Sequence, residues 1–160
     1  MGVAEFYRGP SGKIMPGLTM NLDEAVKRLK DLFPQTQVSL AYLFGSFTRN
    51  EAGEFSDLDL AVLLATKKDE LYSAYMDLML EVQKALATER LDLLLLNSAT
   101  PSEKFEIIRS GELLYARNEK EINDFEMDVI RRYQDTAYLR AIQNDYLKKR
   151  AQAWYSEKKT

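Results

Sequence analysis

The sequence predicts an α/β (α+β) domain, and three observations carry that expectation. Short, almost wholly apolar runs at Val38–Phe44, Leu58–Leu64 and 90–96 are too short for helices and read as sheet strands. Segments between and around them place apolar residues at helical spacing. One of these segments starts near Asn118 and runs almost to the end of the chain, which predicts a long C-terminal helix.

The first helix should begin after Asn21, where Asn21 and Glu24 have the spacing of a capping box. Leu22, Ala25, Val26, Leu29, Leu32 and Phe33 form its core face, and Pro34 ends it. The first strand then stops at Gly45, Ser46 to Asn50 can form a short helix, and Glu51 to Ser56 reads as a turn. After the second strand, residues 66–88 form a long amphipathic helix. The third strand is apolar except for Asp92, and a shorter helix over 102–109 ends at Ser110-Gly111, where the glycine suits a left-handed cap. Leu113 to Ala116 add a small strand. Asn118 and Glu121 repeat the capping-box spacing, and Ile122, Phe125, Val129, Tyr133, Ala137, Ala141 and Tyr146 mark one face of the terminal helix.

With 160 residues, 46% of them hydrophobic, the chain can bury one domain-sized core. Residues 1–20, with Gly-Pro-Ser-Gly and Pro-Gly, read as a loose leader or expression remnant; 21–117 form the catalytic-size domain and 118–160 a helical extension. A net charge of −3 gives no global electrostatic reason to bind duplex nucleic acid. No stretch approaches the ~20 apolar residues of a membrane span, so a cytoplasmic protein is expected.

The absence of any cysteine or histidine excludes disulfides, thiolate and imidazole metal sites, and Ser-His-Asp chemistry. Catalysis must then use carboxylates, hydroxyls, cations or a hard metal held by oxygen. Asp57 and Asp59 stand at i and i+2 at the start of the second strand, so both side chains leave on one face. Two like charges there call for a cation, and Mg2+ takes oxygen ligands and is often completed by substrate phosphates. Asp92 interrupts an apolar run where an unpaired buried carboxylate would cost several kcal/mol, and it joins the pair if its strand is adjacent. Gly45-Ser46 lies at a strand-to-helix junction, where backbone can approach a ligand and free N–H groups favour anions. Arg49 can reach phosphate, or serve as a surface charge or partner of Glu51 or Glu54. Each feature alone has a plainer reading: a Gly-Ser turn, a solvated strand edge for Asp57 and Asp59, an ion pair between Asp92 and Arg90. Their combination points to metal-dependent nucleotide chemistry.

Gly45-Ser46, ten residues, Asp57-Leu58-Asp59 and a following apolar strand resemble the signature of the DNA polymerase β nucleotidyltransferase superfamily. The short chain, Gly45-Ser46-Phe47-x-Arg49 and Ser56-Asp57-Leu58-Asp59-Leu60-Ala61-Val62 narrow this to the minimal nucleotidyltransferases, the MntA-like antitoxins, over about residues 22–115. The resemblance implies a nucleotidyltransferase fold, with a small mixed sheet flanked by helices. It implies ATP as substrate, Asp57 and Asp59 as metal ligands, Asp92 as the third catalytic carboxylate next to the attacking hydroxyl, and Gly45 and Ser46 on the triphosphate; three converging carboxylates can hold two Mg2+ ions, and Arg49 stays a candidate phosphate contact. It also implies a cognate HEPN toxin, an RNase neutralised when its tyrosine hydroxyl is adenylylated in a type VII toxin-antitoxin pair.

Two other functions fit the same residues. One is transfer to a small molecule, as in aminoglycoside nucleotidyltransferases, although those usually carry a larger second domain. The other is a binding module that blocks its partner sterically, motivated by Tyr133, Tyr138, Tyr146, Trp154 and Tyr155 on the terminal helix. Homo-oligomerisation is left open.

Overall fold

The computed structural model describes residues 21–45 and 58–157. The chain forms α1 (Leu22–Leu32), a 3-10 turn (Phe33–Gln35), β1 (Val38–Phe44), β2 (Leu58–Leu64), α2 (Leu71–Leu86), β3 (Leu91–Leu95), α3 (Pro101–Ser110), β4 (Glu112–Ala116), α4 (Glu119–Asp135) and α5 (Ala137–Glu157). The expected short helix at 46–50 and turn at 51–56 lie outside the described residues. The strands join in the order β3-β2-β1-β4, with β1 antiparallel to β2 and β4 and β2 parallel to β3. This is the expected mixed sheet flanked by helices.

Alternation along the strands divides the core into two layers. Leu58, Leu60, Val62 and Leu64 of β2, with Leu93 of β3, face Leu22, Ala25, Val26 and Leu29 of α1 and Leu78, Val82 and Leu86 of α2. On the other face Leu40, Tyr42, Ala61 and Ala116 pack with Ile107 of α3, and with Ile122 and Phe125 of α4. The buried Tyr42 hydroxyl donates to Glu126 Oε1 at 3.0 Å, tying α4 to the central sheet. Burial, followed by the charge and hydrogen bond of Glu126, raises the Tyr42 phenol far above its ordinary value, so it remains a neutral donor.

Several local expectations are corrected. Asn21 caps α1 by accepting from Glu24 N at 2.8 Å, but the Glu24 carboxylate pairs with Arg28 at 2.6 Å, on the exposed side of the helix. Asn118 likewise accepts from Glu121 N at 2.9 Å, while its own amide donates to Glu121 Oε1 at 3.1 Å. A reciprocal capping box occurs instead at Thr100 and Glu103: Glu103 N donates to Thr100 Oγ1 at 3.2 Å and Thr100 N donates to Glu103 Oε2 at 2.7 Å. α2 starts at Leu71, later than the expected 66. Gly111 is extended (φ −80°, ψ 162°), so it is no left-handed cap. Its need for glycine is steric: a Cβ there would lie 2.6 Å from the Ile107 carbonyl oxygen. The left-handed cap is Ala87, at the end of α2 (φ 49°). The periodicity that starts at Asn118 is divided between α4 and α5, which break at Thr136, and the long C-terminal helix is α5.

The Glu103 carboxyl is held below its ordinary value of 4.5, first by the Thr100 N–H and then by the Thr100 side chain. A depressed folded-state value means that this contribution is complete above the ordinary carboxylate range and is lost as pH falls through the folded value. Thr100→Ala is expected to cost about 1 kcal/mol at neutral pH. Thermal unfolding should show that loss, and across pH the difference between wild type and Glu103→Gln should shrink in acid; a constant difference would contradict the carboxylate's part in the cap.

Candidate active site

β2 is an interior strand, and its first turn of sheet is where the chemistry-bearing residues meet. Asp59 pairs in register with Phe44 on β1 and with Asp92 on β3. Because β2 and β3 are parallel, adjacent residues in register send their side chains to the same face, the one that also carries Ala61 and Leu94. The carboxylates of Asp59 and Asp92 are thus lateral neighbours across one strand spacing, about 4.8 Å. Gly45 follows Phe44 directly and has φ +76°, a left-handed conformation that favours glycine. A Cβ at Gly45 would lie 1.9 Å from Asp59 Oδ2, so the missing side chain gives the Asp59 carboxylate its place.

At the far end of these strands, Asn97 fixes the register. Its side-chain carbonyl accepts from Leu64 N at 2.9 Å and its amide donates to Leu64 O at 2.9 Å, extending the β2–β3 pairing beyond Leu95. Asn97→Ala is expected to lower stability by about 1–2 kcal/mol, because both Leu64 backbone groups lose partners in a part-buried setting. Urea unfolding checks this, and an unchanged midpoint would contradict it.

The sequence argument for Asp92 as a buried carboxylate is corrected. β3 is at the sheet edge, and Asp92 is exposed while Asp59 is partly buried. Solvent relieves Asp92 of the desolvation penalty and leaves its carboxylate accessible. Sequence reading also missed the surroundings of this edge. Tyr75, placed by its spacing on the core face of α2, donates its hydroxyl to the Leu93 carbonyl at 2.9 Å. Burial raises the Tyr75 phenol above its ordinary value, with the nearby Asp92 and Tyr72 adding to the effect.

Among the sequence-derived candidates, the structure brings Gly45, Asp59 and Asp92 together; Ser46, Arg49 and Asp57 lie outside the described residues. Among the described residues no group of three or more acidic side chains is gathered tightly enough to hold a metal. The donor set nevertheless fits a hard divalent ion: two carboxylates in adjacent register, with no softer imidazole or thiolate in the chain. No helix among the described residues is long and apolar enough to cross a membrane.

Comparison with known proteins agrees with this fold. The chain is 32% identical over 96 residues to the protein adenylyltransferase MntA of Shewanella oneidensis, spanning 66% of that relative's length and 60% of its own. Its fold is similar to a toxin-antitoxin crystal structure with AMP-PNP, with TM-score 0.61 and 29% identity over 80% of this chain and 99% of the other. It is also similar to a chain in the complex of tri-AMPylated Shewanella oneidensis HEPN toxin with MNT antitoxin. There the TM-score is 0.54 and the identity 28%, over 78% of this chain and 94% of the other. Residues 27–120, more than half of the chain, match the family described as Polymerase beta, Nucleotidyltransferase. With its mixed sheet and its paired strand carboxylates beside a glycine turn, the chain belongs to the polymerase β nucleotidyltransferase family.

Proposed function

We propose that this chain is a Mg2+-dependent protein adenylyltransferase that moves AMP from ATP to a tyrosine hydroxyl of a partner HEPN RNase toxin, and that it acts in the cytoplasm as the antitoxin of the pair. The observation that carries the reading is the lateral register of Asp59 with Asp92 beside Gly45, in a chain of nucleotidyltransferase family. Support for the substrate and acceptor comes from similar proteins: an MntA named as a protein adenylyltransferase, a toxin-antitoxin structure with AMP-PNP, and an AMPylated HEPN toxin bound to its antitoxin. The catalytic unit is assigned to 21–117 and the helical extension to 118–160.

In this reading Asp57 and Asp59 hold Mg2+, with Asp92 completing the set, and two ions are expected. Bound there, Mg2+ neutralises triphosphate charge and makes the acceptor hydroxyl easier to deprotonate. Gly45 lets the backbone approach the triphosphate, Ser46 adds a hydroxyl donor, and Arg49 supplies a cation. Asp92, exposed on the edge strand, takes the proton of the acceptor hydroxyl. The hydroxyl oxygen forms a bond to the α-phosphorus, the bond to the bridging oxygen of the β-phosphate breaks, and pyrophosphate leaves. The chain offers no histidine to share this proton transfer.

The test is RNase activity of the HEPN protein after incubation with this chain, ATP and Mg2+, followed by removal of the chain. Covalent transfer predicts that the RNase stays inactive after removal, and only when ATP was present. Neutralisation that reverses on removal, or that Asp57→Asn/Asp59→Asn achieves as well as wild type, would replace this reading with steric blocking.

A further inference from the structure

We propose that α5 is the docking helix for the partner protein, its aromatic face seated in an apolar groove that presents a carboxylate to Arg150. The identity of the partner as a HEPN protein rests on the functional reading above; the docking surface rests on α5 itself. Every side chain from 141 to 156 is exposed, and the large ones are far from buried: Tyr138 is 75% exposed, Tyr146 59% and Trp154 52%. A helix with so little burial against the described residues leaves its apolar surface open to another molecule.

The arrangement of that surface is ordered. At 3.6 residues per turn, Tyr138, Leu139, Ile142, Tyr146, Leu147 and Trp154 fall within about half of the helix circumference, while the exposed Tyr155 lies on the other half. Tyr146, Arg150 and Trp154 then follow one another at successive i, i+4 steps, forming a row of the three residue types most enriched at binding hot spots. Lys149 is paired with Asp145 at 2.7 Å, but no carboxylate among the described residues pairs with Arg150. A bidentate carboxylate from a partner would complete it.

The base of the helix is held in one direction. Tyr133 of α4 stacks on Phe105 of α3, with ring centroids 3.9 Å apart, and the Arg140 guanidinium lies 3.5 Å over the other side of Tyr133. Arg140 also donates to the Thr136 hydroxyl at the α4–α5 break. This four-residue joint ties the base of α5 to α3 and α4, which lowers the ordering cost for a partner that grips the helix. α5 lies wholly outside residues 27–120, the stretch that matches the family.

Charge decides between occupants. The last fifteen residues carry five cationic side chains against Glu157 alone, although the whole chain is net −3. Two copies of α5 face to face would bring these cationic ends into one interface, whereas a partner groove with an acidic rim complements them. The aliphatic Leu139, Ile142 and Leu147 favour a protein groove over a phosphate backbone.

The test is the Kd between the full chain and the HEPN protein, measured by calorimetry alongside AMP transfer. Trp154→Ala and Arg150→Glu, both at exposed positions, are each expected to weaken binding at least 10-fold, with ATP binding unchanged. Lys148→Ala, on the opposite side of α5, should leave Kd within about 2-fold of wild type, since rim charges contribute little. Wild-type affinity in both Trp154→Ala and Arg150→Glu would overturn the docking assignment and leave the transfer reading intact. So would an equal loss in Lys148→Ala, or a homodimer that Trp154→Ala dissolves. A complex that forms through α5 without AMP transfer would uphold docking and overturn the transfer reading, and no wild-type complex would overturn both.

Discussion

Asp59→Asn is expected to lower AMP transfer by about 10^3-fold or more, the scale of removing a group that holds the metal of a phosphoryl-transfer site. The substitution keeps the shape of the side chain and removes one charge. In the fold without divalent ion, Asp59 and Asp92 are neighbours in register on parallel strands, and like charges at that spacing oppose each other. Asp59 has a further contact in the fold and asparagine keeps its shape, so the melting temperature should stay within about 5 °C while transfer falls. That pattern separates a functional carboxylate from a structural one. Steady-state transfer assays and thermal unfolding of the same preparation check it; a folded, destabilised variant with near wild-type transfer would contradict the assignment.

Gly45→Ala should damage the same corner by a different route. At φ +76° an alanine pays about 1–2 kcal/mol for a left-handed backbone. Its Cβ would also fall 1.9 Å from Asp59 Oδ2 and 2.7 Å from Asp59 Cγ, so either the Asp59 side chain or the turn must move. Since displacing a reacting group by about 1 Å can cost 10^2-fold, transfer should drop by about that factor, together with a measurable loss of stability. Comparing kcat/KM and the urea midpoint of Gly45→Ala with wild type checks both effects. Unchanged transfer would mean that Asp59 is not held against Gly45 for catalysis.

Much of this corner could be read from the amino acids because its signals are local. Val38–Phe44 and Leu58–Leu64 have the apolar content and length of sheet-core strands, and both strands occupy those bounds. Asp92 could be recognised as anomalous within its leucine run, but its exposure could not, because that depends on β3 lying at the edge of the sheet. Gly45 could be recognised as a turn, whereas its contact with Asp59 depends on the antiparallel register of β1 and β2. Cap chemistry failed for a related reason: Glu24 had a choice between its own helix start and Arg28, and spacing alone does not decide that competition. The break at Thr136 has no proline or glycine to announce it; the stack of Phe105, Tyr133 and Arg140 joins three helices, which no single periodic segment encodes.

The measurement that bears most directly on the Gly45, Asp59 and Asp92 site is the intact mass of the HEPN protein after incubation with this chain, ATP and Mg2+, with tandem spectra to locate the change. The expected result is the added mass of one or more AMP groups on tyrosine, with pyrophosphate released in equal amount, and neither seen with Asp59→Asn or Asp92→Asn. An unmodified partner under wild-type conditions, or equal modification by the two variants, would contradict the assignment of this site to nucleotidyl transfer.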